Sequence, residues 1–193
     1  MVSKRQHKLL WCSSYDRGLQ HLLKMWPQIK AEYPDATLDI YYGWGLFEQR
    51  YADNPERMAW KDRMDGLMTQ EGITHHGRVG KEELNEATKM CGIWAYPTDF
   101  DEINCISALN CQLYGCVPCV INKAALKETV GSGIKVEGDI YDPETKEEYL
   151  KQLLGLMGDE TKWKEEQEKG KKFVEGYSWS DISKKWIKEF MQH

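Results

Sequence analysis

Nowhere in the 193 residues does an apolar run approach the roughly 18 positions that a membrane-spanning helix needs. The N-terminus, "MVSKRQHKLLWCSS", starts charged, but polar residues return after only a few apolar ones. That run is too short for a signal-peptide core and reads instead as a first buried strand. An excess of basic charge is also missing. The 26 Lys and Arg face 31 Asp and Glu, a net charge of -5, so no overall positive field points to nucleic acid or an anionic membrane. The cluster "KGKK" (169–172) alternates with glutamates and reads as solvated helix surface. No repeat, low-complexity tract or linker divides the chain, and its length suits one well-cored domain over 1–193. Without a secretion signal, six irregularly spaced cysteines imply reduced thiols and a cytoplasmic location.

What is present alternates between short apolar runs and longer amphipathic ones. "KLLWCS" (8–13), "ATLDIYYG" (36–43), "GITHHG" (72–77), "GIWAYP" (92–97) and "PCVIN" (118–122) read as strands. Between them, Leu19, Leu22, Leu23, Trp26, Ile29 and Tyr33 mark one helical face, with Pro27 expected to kink or split the helix. "NPERMAWKDRMDGLM" (54–68) opens with an asparagine cap and proline, a strong helix start. Further helices are expected over 81–90, 142–158, 160–175 and 178–191. The last carries Trp179, Ile182, Trp186 and Phe190 on one stripe, suited to packing across the domain or towards a further one. This order predicts an α/β fold, a Rossmann-like three-layer sandwich around a parallel sheet. Ligands of such sheets bind at the carboxyl ends of the strands, so the loops at 13–18, 43–53, 76–80 and 97–104 are the ones to inspect.

"DEINCISALNCQLYGCVPC" (101–119) holds four cysteines and ends in a C-x-x-C, Cys116 to Cys119. A thioredoxin-type pair sits at a helix N-terminus, where the dipole favours a thiolate. Here the order is reversed, because the pair follows a helix and opens a strand. A zinc ribbon needs a second C-x-x-C or histidines at ligand spacing, and the adjacent His75 and His76 do not supply it. The cysteines therefore read as small core side chains, and the middle of the segment reads as a helix with Ile106, Leu109 and Leu113 on one face and Ile103 beside them.

Set aside its thiols and "GIWAYPTDFDEINCISALNCQLYGCVPCVIN" (92–122) runs strand, Pro-Thr, acidic loop, helix, Gly-Cys-Val-Pro, strand. It resembles the donor-binding domain of B-type-fold glycosyltransferases, in particular the large retaining family that includes sucrose and mannosyl transferases. "SSYDRGLQHLL" (13–23), "LDIYYGW" (38–44), "HHGRVGKEEL" (75–84) and "AALKETVGSG" (124–133) extend the likeness along nearly the whole chain, but over only the C-terminal half of a typical member.

The resemblance implies binding of a nucleotide-sugar, with transfer of the sugar to an acceptor hydroxyl and retention of configuration. It makes Glu102 the residue on the sugar and Arg17 the cation on the pyrophosphate, as catalytic residues. It adds Ser14, the Gly18 N–H and the amides of Asn104, Cys105 and Ile106 as donor-binding groups. Amides at a helix N-terminus suit an anion, and an arginine's planar fork suits phosphate. Asn110 faces the ribose, and Gly77, Arg78 and Val79 border the base. No metal or cofactor beyond the donor is expected; the partner is an acceptor-binding domain or subunit.

Two positions depart from the family. Asn110 stands where a second glutamate is usual, and "WCSSYD" lacks the additional arginine that normally precedes the phosphate cation. Both departures also fit a non-catalytic nucleotide-sugar module, while the missing acceptor-binding half fits one subunit of a split transferase. Read without the resemblance, Glu102 also suits a helix cap and Arg17 an ordinary turn.

Overall fold

A computed structural model describes residues 5–191. The elements run β1 (Lys8–Trp11), α1 (Leu19–Glu32), β2 (Thr37–Tyr41), α2 (Gly45–Tyr51), α3 (Pro55–Met68), β3 (Ile73–Gly77), α4 (Lys81–Met90) and β4 (Ile93–Tyr96). They continue through α5 (Ile106–Leu113), β5 (Val117–Ile121), α6 (Leu126–Thr129), β6 (Ile134–Val136), α7 (Pro143–Gly158), α8 (Glu160–Val174) and α9 (Trp179–Phe190). The strands pair in parallel in the order β3-β2-β1-β4-β5-β6.

The order has one reversal. The chain steps outwards from β1 to β3, then returns to lay β4 on the other side of β1. Right-handed crossovers put α1 and α3 on one face and α4 and α5 on the other. α7 packs against α1, and α8 against α5, completing helical layers on both faces of the sheet. Apolar strand residues, among them Leu9, Ile93, Trp94 and Val120, are wholly buried between these layers. This is the α/β three-layer fold expected from the sequence.

Pro27 lies inside α1, yet the helix runs unbroken from Leu19 to Glu32. Proline lacks the N–H that would bond the carbonyl four residues back. Here the Gln70 side-chain amide donates to that Leu23 carbonyl at 2.9 Å and to the Leu67 carbonyl at 2.8 Å. The orphaned acceptor is satisfied from another element, so the helix does not split.

The side of α5 that packs carries the small residues rather than the aliphatic ones, with Cys111 buried as the sequence implied. Ala108, Cys111 and Gln112 are buried, whereas Ile103, Ile106 and Leu113 are exposed. Small side chains let α5 lie close to β5 and α8. Gln112 is tolerated inside because it donates to the Ala108 and Thr129 carbonyls and accepts from the Gly131 N–H. The α9 stripe, by contrast, is not in the core: no residue of that helix is buried, and Trp179 is 85% exposed. Among the described residues no helix is long and apolar enough to cross a membrane.

The C-x-x-C does not form a bridgeable pair. Along β5 side chains alternate faces, so Cys116 and Cys119 point to opposite sides of the sheet. Cys116 meets Cys111 of α5, and Cys119 meets Tyr149 of α7. All six cysteines are free thiols, five of them buried.

Candidate donor site at the sheet reversal

β1 and β4 are the neighbours at which the strand order reverses, and loops leaving such a pair diverge to open a crevice. The loop after β1 holds a short turn, Tyr15–Arg17, and ends at Gly18 in the left-handed region, φ 107°. A side chain at Gly18 would bring its Cβ within 2.5 Å of the Pro97 carbonyl oxygen. Only glycine lets the β1 loop lie this close to the loop after β4.

That contact brings Arg17 to Glu102. Arg17 Nη1 donates to Glu102 Oε1 at 2.9 Å and to Oε2 at 3.0 Å. The Arg17 guanidinium also lies 4.3 Å from the centre of the Phe100 ring. The two side chains differ in setting, Arg17 being 35% exposed and Glu102 only 6%. Tyr96 OH donates to Glu102 Oε1 at 2.7 Å, and Ser13 Oγ lies 3.2 Å from the same hydroxyl. Burial pushes the Tyr96 phenol well above its ordinary value, so it remains a donor.

The Glu102 loop is braced from the far side. Lys123, just past β5, donates to the Asp99 carbonyl at 2.9 Å and pairs with Asp101 at 3.0 Å. The Ala125 N–H donates to the Glu102 carbonyl at 3.0 Å. After Glu102 the chain enters α5 with Cys105 as its capping residue. The N–H groups of Asn104, Cys105, Ile106 and Ser107 form no hydrogen bond among the described residues. Asn104 and Ile106 are exposed, while the Cys105 side chain turns inwards. Four unbonded amides at a helix start are an anion-binding arrangement.

The remaining expected residues lie in three places. Ser14 Oγ donates to Asp16 at 2.6 Å, within its own loop. Asn110 sits half-buried on α5, and its side chain forms no hydrogen bond among the described residues. Since α5 begins only at Ile106, helical rise separates the helix start from Asn110 by roughly 6 Å, not the longer span that a helix from Glu102 would give. Gly77, at φ 71°, ends β3 and accepts from the Tyr42 N–H at 2.9 Å. Arg78 follows it into a hollow of about 260 Å³ shared with Tyr42, Gly43 and Leu46, and Val79 packs against the core.

Tyr15 joins these places. The Gly43 N–H donates to Tyr15 OH at 2.6 Å, and that hydroxyl lies 2.6 Å from His75 Nε2. Loops after β1 and β2 and the strand β3 thus share one buried phenol, which burial raises to about 12. Next to Gly18 a second cleft, about 190 Å³, is lined by Asp16, Arg57, Trp60, Asp99 and Tyr141. Tyr96, Tyr15, Lys123 and Arg57 were not singled out by sequence. The one available signal was the Trp94-x-Tyr96 alternation before Pro97, which sets both rings on one face of β4.

Solved structures of similar fold include the GtfA/B complex (TM-score 0.76, 13% identity) and sucrose-phosphate synthase from Thermosynechococcus elongatus (0.75, 16%). HepE of Anabaena in complex with UDP-glucose is a third (0.70, 13%). The matches cover 98%, 96% and 96% of this chain, but only 36%, 45% and 48% of theirs. The chain therefore spans less than half the length of these structural neighbours. No curated protein matches it. The model of the glycosyl transferases group 1 matches residues 13–173, which include both site loops and all six strands but β1. On that match the chain belongs to the glycosyl transferases group 1.

Proposed function

We propose that this chain is the donor-binding half of a retaining glycosyltransferase, and that it binds a nucleoside diphosphate sugar. The observation that carries this reading is the convergence of Arg17, Glu102 and the unbonded amides of Asn104, Cys105 and Ile106 at the β1–β4 reversal. Arg17, with those amides and the Gly18 N–H, takes the pyrophosphate. Glu102 accepts hydroxyl groups of the sugar, and Ser14 lines the loop beside it. Asn110 faces the ribose, and Gly77, Arg78 and Val79 border the base, with the Tyr42–Arg78 hollow as its seat. An acceptor hydroxyl then attacks the anomeric carbon from the side of the departing diphosphate. The bond from that carbon to the diphosphate oxygen breaks, the hydroxyl's proton passes to the departing diphosphate, and the negative charge growing there falls on Arg17 and the helix amides.

The acceptor side belongs to a further domain or partner subunit. The neighbour chains are about two to three times as long, and one of these structures is the GtfA/B complex. The exposed apolar stripe of α9 is consistent with such a partner. A second reading, a non-catalytic nucleotide-sugar module, is favoured by Asn110, which brings no charge to the ribose. A charge-assisted hydrogen bond contributes about 1.5–3 kcal/mol, against about 0.5–1.5 for a neutral one.

Calorimetry with UDP-, GDP- and ADP-sugars tests both readings. Binding to the unaltered chain is expected, with a loss of about tenfold or more in Arg17→Ala and Glu102→Ala. Absence of binding to every nucleotide would sink both. Binding without sugar transfer or donor hydrolysis, even with candidate partner chains added, selects the module.

A further inference from the structure

The pairing of Arg17 with Glu102 bears on the proposed site, on which this inference rests. Both groups are assigned to the donor, yet each holds the other. Their restraints are unequal. Glu102 is nearly buried, and its Oε1 has two donors, Tyr96 OH at 2.7 Å and Arg17 Nη1 at 2.9 Å. Among the described residues Oε2 is held by Arg17 alone, at 3.0 Å. Tyr96 is fully buried, stacked on Trp94 at 4.5 Å and 16°, and within reach of Ser13. It has no room to move. Arg17 is partly exposed, and the carboxylate engages only its Nη1, leaving the rest of the guanidinium fork for another oxyanion.

We infer that Arg17 exchanges partners when the donor binds, leaving Glu102 for the pyrophosphate, and that Tyr96 is the positioning residue that holds Glu102 in place through the exchange. Phosphate oxygens compete for the guanidinium with more charge than one carboxylate. The departure of Arg17 bares Oε2, the oxygen with no other donor, just as the sugar hydroxyls arrive. Oε1 stays on Tyr96, so the carboxylate neither swings nor loses its last buried partner. No covalent bond changes in this step. The donor's two parts are thereby coupled: the diphosphate opens the pair, and the sugar occupies the oxygen released.

The test is a calorimetric double-mutant cycle using UDP and UDP-glucose, with the ADP and GDP pairs in parallel and thermal unfolding of every variant. Glu102→Gln removes the charge that retains Arg17, so the diphosphate alone is expected to bind about five- to tenfold tighter. In an Arg17→Ala background the same change is expected to alter diphosphate affinity less than about twofold. Equal tightening in both backgrounds would identify a general field effect and overturn the exchange. Tyr96→Phe is expected to collapse the ratio of the UDP and UDP-glucose dissociation constants by about tenfold, a loss borne by the sugar. If it weakens both ligands equally, Tyr96 serves only the fold and the positioning role falls. Should the unaltered chain bind none of these nucleotides, the donor-site reading itself fails, and this inference with it.

Discussion

The Gln70 side-chain amide occupies the place of a helical N–H: it donates to the Leu23 carbonyl at 2.9 Å, the acceptor that Pro27 leaves without a backbone partner. Gln70→Ala is expected to destabilise the protein by about 1–3 kcal/mol, because a buried acceptor is left unsatisfied. In a Pro27→Ala background the backbone supplies its own N–H, and the cost should fall below about 1 kcal/mol. Urea unfolding of the four proteins in this cycle measures the difference; equal costs in both backgrounds would remove the compensation.

Gly18 combines a left-handed φ with a carbonyl oxygen 2.5 Å from where a Cβ would stand. Gly18→Ala is expected to cost about 3 kcal/mol. For a chain of this length that is a fall in Tm of roughly 6–12 °C. A fall of less than a degree or two would mean that the two loops can separate freely.

Burial raises the Cys105 and Cys119 thiols to about 12, while hydrogen bonds from Cys111 and Ser107 outweigh burial and lower Cys12. Cys12 is also the one cysteine that is only partly buried. Alkylation of the native protein at pH 8 is expected to label Cys12 first, since the thiolate is the reacting form. Mild oxidant should produce no Cys116–Cys119 disulfide. Peptide mass spectrometry reads both results, and a 116–119 bridge would restore a redox role.

Asp99 accepts from Tyr141 OH at 2.6 Å and lies 3.8 Å from His21 Nε2. Burial raises its carboxyl, but these neighbours outweigh burial and hold it below its ordinary value. A carboxyl depressed in the folded state contributes stability above its unfolded value and loses it as pH falls through the folded one. Tyr141→Phe should therefore lower stability by about 1 kcal/mol at pH 7. The gap between the two proteins should close below about pH 4. A gap that stays constant to pH 3 would show that the tyrosine acts through packing alone.

No residue of α9 is buried, and the helix leans on the turn at Glu175–Tyr177. A chain ended after Tyr177 should keep its Tm within about 2 °C, since no core surface is lost. A larger drop would mean that the stripe is covered within the folded chain.

Much of the fold was legible because five strands are apolar runs and most helices carry caps or stripes. β6 escaped notice: three residues long, with Lys135 exposed at its centre, it offers no run to read. α2 buries nothing, so it has no periodic face, and 43–53 read as loop. The packed side of α5 was not legible, because Ile106 and Leu113 are exposed and its packing depends on Gln112 finding partners far along the chain. In the site, Arg17 and Glu102 were reached through family resemblance. Their direct contact was not, because it depends on how two loops 85 residues apart approach each other. Tyr96 was hidden for the same reason: in sequence it is one more residue of a buried strand.

Ala124 has a φ of 44° among otherwise glycine-only positive values in the described residues. A side chain held there costs about 1–2 kcal/mol. Its neighbours Lys123 and Ala125 are the two residues that clasp the Glu102 loop, so the clasp is under tension. The carboxylate is thus held by a fastening that resists its own closure. A shift that relaxes Ala124 moves Lys123 or Ala125 with it, and either movement slackens the loop that carries Glu102.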